Sequence, residues 1–328
     1  MRPLQAGPLR AGVLGLGEMG RHHARVLSQL EGVTLVGVAD PQGDRFGCAN
    51  GLSCLDSLDQ LLTLGLDLCV VAVPTADHEA AGLRLAAAGV HTLVEKPLAE
   101  NRVAAERLAS AFEAAGLVGC VGHIERYNPA LRLLRSKLEA GALGAVYQVA
   151  TRRQGPFPQR IRDVGAVKDL ATHDLDVTTF LAGARFAAVS ARTVYARATE
   201  HEDLVAATGL LDDGTVTNHL VNWITPMRER VTTVTGERGC FVADTLTGDL
   251  ELYTNGQRIR YDLSKPEPLY TQLASFRDAV RDGSGQIVRM REGLAALEVA
   301  QACIESAAKG ITVDLSGFLH PERRRSTT

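Results

Sequence analysis

No stretch of this sequence stays apolar for the roughly 20 residues that a helical bilayer crossing needs, and the run Met1 to Arg10 lacks the apolar core of a secretory leader. A cytoplasmic protein is the expectation. Neither sign of charge dominates: 35 Lys and Arg stand against 38 Asp and Glu, a net charge of −3. No general field therefore draws nucleic acid or an anionic membrane, and an anionic substrate has to be held by a local basic cluster. Metal-ligand spacing is missing as well. The six cysteines (Cys48, Cys54, Cys69, Cys120, Cys240, Cys303) form no C-x-x-C and no Cys/His cluster, so they read as structural thiols and no metal is expected.

What is present fits two domains: 328 residues, 45% of them hydrophobic, can bury sizeable cores without disulfides or metals. The first third alternates short apolar runs with helical patterns, the signature of βαβ units and a parallel sheet. Strands are predicted at Ala11–Leu14, Thr34–Ala39, Leu68–Val73, His91–Val94 and Leu117–Val121. Helices are predicted at Met19–Leu30, Ser57–Leu64, Ala76–Ala88 and Arg102–Ala115, each running into a glycine near its end. The segment Leu68–Val73 is apolar on both alternating faces, which suits a strand covered on both sides in a doubly wound sheet.

After Gly122 the pattern changes. Helices are predicted at Pro129–Ala140 and Asp174–Leu181, then strand–turn–strand repeats from Phe186 to Asp262 with turns such as Asn255-Gly256. Helices Leu269–Arg281 and Met290–Ala308 and a short strand Ile311–Leu315 close the pattern. The expected architecture is an α/β Rossmann domain over 1–124 and an α+β domain over 125–320 with a large, mainly antiparallel open sheet. Residues 321–328, with Arg323-Arg324-Arg325, read as a solvated tail.

Gly15-Leu16-Gly17-Glu18-Met19-Gly20 matches G-x-G-x-x-G, and its context gives it weight: it follows a predicted strand and opens a predicted helix. Gly15 permits the tight turn, Gly17 lets backbone approach a pyrophosphate, and Gly20 lets helix and strand pack closely. The helix start, with Glu18 and Met19, offers amide N–H groups to phosphates. Asp40 ends the second strand, where a carboxylate accepts hydrogen bonds from ribose hydroxyls and repels a 2′-phosphate, so NAD is the expected cofactor. A turn aspartate before Pro41 is the plainer reading, and Arg45 leaves room for NADP. Pro74, Thr75 and His78 follow the strand Leu68–Val73, at the edge where open α/β sheets bind ligands; His78 reads equally as part of a helix start.

Glu95-Lys96-Pro97 closes the next strand at the same edge, which puts Glu95 and Lys96 among the expected cofactor contacts, and Pro97 biases Lys96 toward an extended conformation. A crowded lysine beside a nicotinamide can hydrogen-bond a substrate hydroxyl. With the glycine fingerprint upstream and a mixed-sheet domain downstream, this triplet resembles the Gfo/Idh/MocA family of glucose–fructose oxidoreductases and inositol dehydrogenases over nearly the whole chain. The resemblance implies that Lys96 is catalytic, often preceding a cis proline. It further implies an Asp and a His spaced D-x-x-x-H, which Asp169 and His173 supply; at i and i+4 they share a face if the segment is helical. In such a set His173 is the base for a hydroxyl proton, Asp169 orients it and Lys96 stabilises the oxygen.

Gly122-His123-Ile124-Glu125-Arg126-Tyr127-Asn128-Pro129 resembles the G-H-x-E-R-[FY]-N-P run of family members that are UDP-N-acetylglucosamine 3-dehydrogenases, which implies a nucleotide-sugar substrate and places Tyr127 and Asn128 toward it. A turn with a helix start at Pro129 explains part of the run. Arg153, Arg160 and Arg162, with Arg152, flank Gly155-Pro156-Phe157-Pro158 and suit a diphosphate, or else are solvated surface arginines. A ketosugar 3-reductase or an inositol dehydrogenase would use the same residues. An NAD-binding regulator without catalysis is the reading of another class, and the intact Lys96, Asp169 and His173 weigh against it. The resemblance also implies a homodimer or homotetramer.

Overall fold

The computed structural model describes residues 7–157, 164–197 and 200–316. The first stretch of chain forms β1 (Leu9–Leu14), α1 (Glu18–Leu27), β2 (Val33–Ala39), β3 (Cys54–Leu55), α2 (Leu58–Leu62), β4 (Leu68–Val71), α3 (His78–Ala87), β5 (His91–Val94), α4 (Arg102–Ala114) and β6 (Gly119–Val121). Then come α5 (Pro129–Glu139), β7 (Val146–Gln154), α6 (Thr172–Ala182), β8 (Phe186–Val194), β9 (Leu204–Leu211), β10 (Val216–Asn222), β11 (Glu229–Gly236), β12 (Gly239–Asp244), β13 (Asp249–Thr254) and β14 (Gln257–Tyr261). The described chain closes with α7 (Pro268–Arg281), α8 (Met290–Lys309) and β15 (Val313–Asp314).

Two compact units divide these elements: residues up to Ile124 with Pro266–Ala295, and Glu125–Lys265 with the chain from Ala296. In the first, six parallel strands run in the order β3-β2-β1-β4-β5-β6. All four residues of β4 are buried, as expected for a strand covered on both faces. The chain from 266 to 295, expected in the second domain, packs instead in the first unit. The reason is the apolar face of α7: Leu269, Leu273, Phe276 and Val280 recur at helical spacing and join the core of Leu9, Val13, Ala24 and Leu27. Polar ties reinforce it, with Arg277 donating to the Glu31 carbonyl at 2.8 Å and Arg281 to the Gly32 carbonyl at 2.9 Å.

The second unit holds nine strands in the order β14-β13-β12-β11-β7-β10-β9-β8-β15. Every neighbouring pair is antiparallel except β7–β10, which is parallel. Strand β7 was not anticipated from the sequence. One face of this sheet is covered by apolar residues of α5, α6 and α8, including Leu131, Leu175, Val177 and Ala300. The other face stays open, with Arg152, Arg192, Ala206, Thr208, Leu210 and Val216 exposed. Among the described residues no helix is long and apolar enough to cross a membrane.

Candidate active site

The glycine turn lies where β1 hands over to α1. Gly15 has φ +88°, and a Cβ there would lie 2.6 Å from the Ala72 carbonyl oxygen; at Gly20 it would lie 1.8 Å from the Gly15 carbonyl oxygen. Neither position admits a side chain. Gly17 differs: nothing stands within 4 Å of its Cβ direction, and it occupies the N-cap of α1 with no side chain on the free amides. An open approach to unclaimed helix N–H groups fits a dinucleotide pyrophosphate. Glu18 and Met19 open the helix, with Glu18 turned outward to Arg21 at 2.7 Å.

Asp40 is buried at the end of β2. Its Oδ2 accepts from the Leu16 amide and its Oδ1 from the Gln42 amide, each at 2.8 Å. The carboxylate thus braces the glycine turn, and each oxygen keeps a lone pair for a ribose hydroxyl. Arg45 is exposed in the loop that follows.

Pro74 and Thr75 lead from β4 into α3, and the His78 ring is buried there. Its Nδ1 is 2.9 Å from the Pro97 carbonyl oxygen and its Nε2 is 3.0 Å from the Val73 carbonyl oxygen. A neutral ring donates to only one of them, and burial lowers the His78 pKa below its ordinary value. The ring thus sits between the two strand ends that carry Thr75 and Lys96 and hydrogen-bonds one of them. Lys96 is half-buried, and its peptide bond to Pro97 is cis.

Glu95 was expected among the cofactor contacts, but its carboxylate points inward. Oε1 lies 2.7 Å from Nε2 of His23 on α1, and Oε2 accepts from the Lys96 amide at 3.1 Å. Burial alone would raise the Glu95 pKa; the interactions with His23, and after them the Lys96 ammonium and amide, outweigh it and hold the carboxyl below its usual range. Gly122 leaves room for this group, since a Cβ there would lie 2.8 Å from the carboxylate. The pair ties the lysine triplet to the fingerprint helix, a link that no spacing in the sequence announces.

In the second unit, Asp169 and His173 fall in one helical run whose first part, Val167–Ala171, is a π-helical turn leading directly into α6. Such wide turns recur at functional sites. Asp169 is buried and His173 half-buried. The run begins on buried Glu202, whose Oε1 accepts from the Val167 amide at 2.9 Å and whose carbonyl accepts from the Ala166 amide. Gly165 is required beneath it, because a Cβ would lie 2.1 Å from that carboxylate oxygen.

The segment after Gly122 acts mainly on this helix. Arg153 is buried and donates to Asp174 at 2.7 Å and to Glu125 at 2.9 Å. Burial opposes its charge, but Asp174 and Glu125 raise its pKa overall. Arg153, expected to face a substrate diphosphate, is thus already matched by two carboxylates. Asn128 caps α5, its Oδ1 accepting from the Ala130 amide at 3.0 Å, and its amide donates to the Thr245 carbonyl at 3.3 Å. Tyr127 is buried. Arg160 and Arg162 lie outside the described residues. Among the described residues no group of three or more His, Cys, Asp and Glu side chains could hold a metal ion.

Fold and site together define a dinucleotide-binding Rossmann unit followed by an α+β unit with an open sheet. A family model described as the NAD-binding Rossmann fold of an oxidoreductase family matches residues 9–123, and one described as the C-terminal alpha/beta domain of that family matches 135–315. The chain is 31% identical to the UDP-N-acetylglucosamine 3-dehydrogenase of Acidithiobacillus ferrooxidans, over 83% of this chain and 88% of that one. It is 26% identical to the scyllo-inositol 2-dehydrogenase (NAD(+)) of Bacillus subtilis, over 94% and 96%. The solved structure of UDP-N-acetylglucosamine 3-dehydrogenase GnnA from Acidithiobacillus ferrooxidans superposes with a TM-score of 0.84 at 28% identity, over 92% of this chain and 98% of that one. The chain belongs to the Gfo/Idh/MocA family and is an NAD-binding oxidoreductase.

Proposed function

We propose that the protein transfers a hydride between NAD and a secondary alcohol or ketone carbon of a nucleotide sugar, at C3 of a UDP-N-acetylhexosamine. The observation that carries this reading is the similarity to UDP-N-acetylglucosamine 3-dehydrogenase over most of both chains. Bound NAD supplies the hydride acceptor at its nicotinamide. The glycine turn holds the pyrophosphate, and Asp40 accepts from the ribose hydroxyls and disfavours a 2′-phosphate, which favours NAD over NADP. His173 takes the proton of the reacting hydroxyl, Asp169 orients the imidazole, and the Lys96 ammonium hydrogen-bonds the same oxygen and stabilises charge developing on it. The reverse direction uses the same groups with the proton moving the other way.

A cyclitol substrate is the second reading, supported by the similarity to scyllo-inositol 2-dehydrogenase. Incubation of purified protein with NAD and a panel of nucleotide sugars, inositols and free sugars distinguishes them by NADH absorbance. Turnover of UDP-N-acetylglucosamine is expected; turnover of inositols with no response to any nucleotide sugar overturns the first reading. The open face of the second unit's sheet, with its small and apolar side chains, suits pairing of two copies into a homodimer or a homotetramer.

A further inference from the structure

The sheet face beneath α6 carries a second arginine that the acid–base set does not use. Arg230 on β11 stands directly opposite Arg153 on β7 in the antiparallel register, so both side chains project to the same face. Arg153 reaches Asp174, the residue after His173, and that contact places the row under the start of α6. The two arginines differ in how their charge is met. Arg153 is held by two carboxylates. The only hydrogen bonds of Arg230 among the described residues run from Nη1 to the backbone carbonyls of Gln154 and Glu229, at 2.8 and 3.0 Å.

Among the described residues no carboxylate hydrogen-bonds it. Glu229 is taken by Arg152 at 2.9 Å. Glu125 and Asp174 lie within electrostatic reach of Arg230 but accept their hydrogen bonds from Arg153, through one oxygen each, and Arg228 adds a further positive charge. Burial, and next the Arg153 charge, depress the Arg230 pKa, as expected of a cation crowded by cations. Among the described residues whose charges act on Arg230, Arg153 and Arg228 with Arg230 itself make three arginines against the two carboxylates of Asp174 and Glu125, one positive charge in excess. Gly155 borders the surplus: a Cβ there would lie 3.7 Å from Arg228 Cγ and 4.0 Å from Arg230 Nη1. Holding a half-buried guanidinium on backbone carbonyls alone costs more than completing it with an anion, and its planar fork matches two phosphate oxygens.

We infer that Arg230, with Arg228 beside it, binds the diphosphate of the nucleotide-sugar substrate. This rests on the nucleotide-sugar reading above and assigns its anion subsite to residues that motif reading passed over. A neutral cyclitol would leave the excess charge unmatched.

The test is calorimetric titration of the full chain, saturated with NAD, with UDP and with uridine. Wild type should bind UDP at least tenfold more tightly than uridine. Arg230→Gln should lose about tenfold or more of the UDP affinity while leaving uridine unchanged, and Arg230→Lys should restore part of it as a point charge. With a turned-over UDP-sugar, Arg230→Gln should raise KM and leave kcat near wild type. Should Arg230→Gln fail to fold, Arg228→Gln reads the same subsite and should weaken UDP by a smaller factor. Unchanged UDP affinity in the folded variants overturns the inference and leaves the proposed function standing. Wild-type protein that binds UDP no better than uridine overturns both.

Discussion

Arg126 clasps Asp176 with two hydrogen bonds, of 2.9 and 2.7 Å, across fifty residues of sequence. Asp176 is on α6, one turn beyond His173, and its side chain is fully enclosed. The conspicuous Glu-Arg of the run after Gly122 therefore grips the helix of the proposed base, Glu125 through Arg153 and Arg126 directly.

Arg126→Met should take the guanidinium from a buried carboxylate and lower stability by about 3–5 kcal/mol. The single tryptophan, Trp223, lies in the second unit, so denaturation followed by its fluorescence reads that unit alone. Adding Asp176→Leu should recover much of the loss. An unchanged unfolding midpoint in the single variant would show that the clasp contributes nothing.

Asp40→Ala should act on cofactor choice and on the turn together. NAD affinity should fall because Leu16 loses its acceptor, and the preference for NAD over NADP should shrink by roughly tenfold, the scale of one charge-assisted contact. Titration with both cofactors measures this. Tighter binding of NADP than NAD by the unaltered protein would contradict the role given to Asp40.

Lys96→Met and His173→Ala should each lower turnover by about 10²-fold or more, the range of a lost acid–base group. NAD affinity should change little, because the glycine turn and Asp40 hold the dinucleotide. Asp169→Asn should be milder, since the imidazole remains. Near-normal kcat in both the Lys96 and His173 variants would place the chemistry elsewhere.

His219, on β10, is buried with Nδ1 at 2.8 Å from Thr151 Oγ1, and burial pulls its pKa down to about 4 from 6.5. The unfolded chain therefore binds a proton that the native state refuses between those values. Its contribution to stability is whole above about pH 6.5 and is lost as pH falls toward 4, by up to about 3 kcal/mol. His219→Gln should flatten that part of the stability–pH curve, measured by urea midpoints from pH 4 to 7. An equally steep curve in the variant would assign the dependence to other groups.

The first unit was largely legible because its strands are apolar on both faces and its glycine turn has one geometry. Strand β7 was not, because its inward positions are Val149, Thr151 and Arg153, and a buried arginine breaks the alternation that marks a strand. The allocation of α7 also escaped, since an amphipathic helix shows that it has an apolar face and not which core receives it. Asp169 and His173 were visible as a spacing. Their supports, Glu202 and Arg126, come from distant segments and carry no local signal, and the inward turn of Glu95 depends on a histidine 72 residues away.

The membership of α7 in the first core has a consequence for biosynthesis. Domains ordinarily fold from the N-terminus as they leave the ribosome. Here the helix that covers Leu9, Ala24 and Leu27 is translated only after the eight strands β7 to β14 of the second unit. A nascent chain that has reached Lys265 carries a complete nucleotide fingerprint on an open apolar flank, exposed since Ile124 while roughly 140 residues were made, about 7–28 s at bacterial-to-eukaryotic elongation rates. The cofactor-binding half of this protein is the first to be started and among the last to be closed.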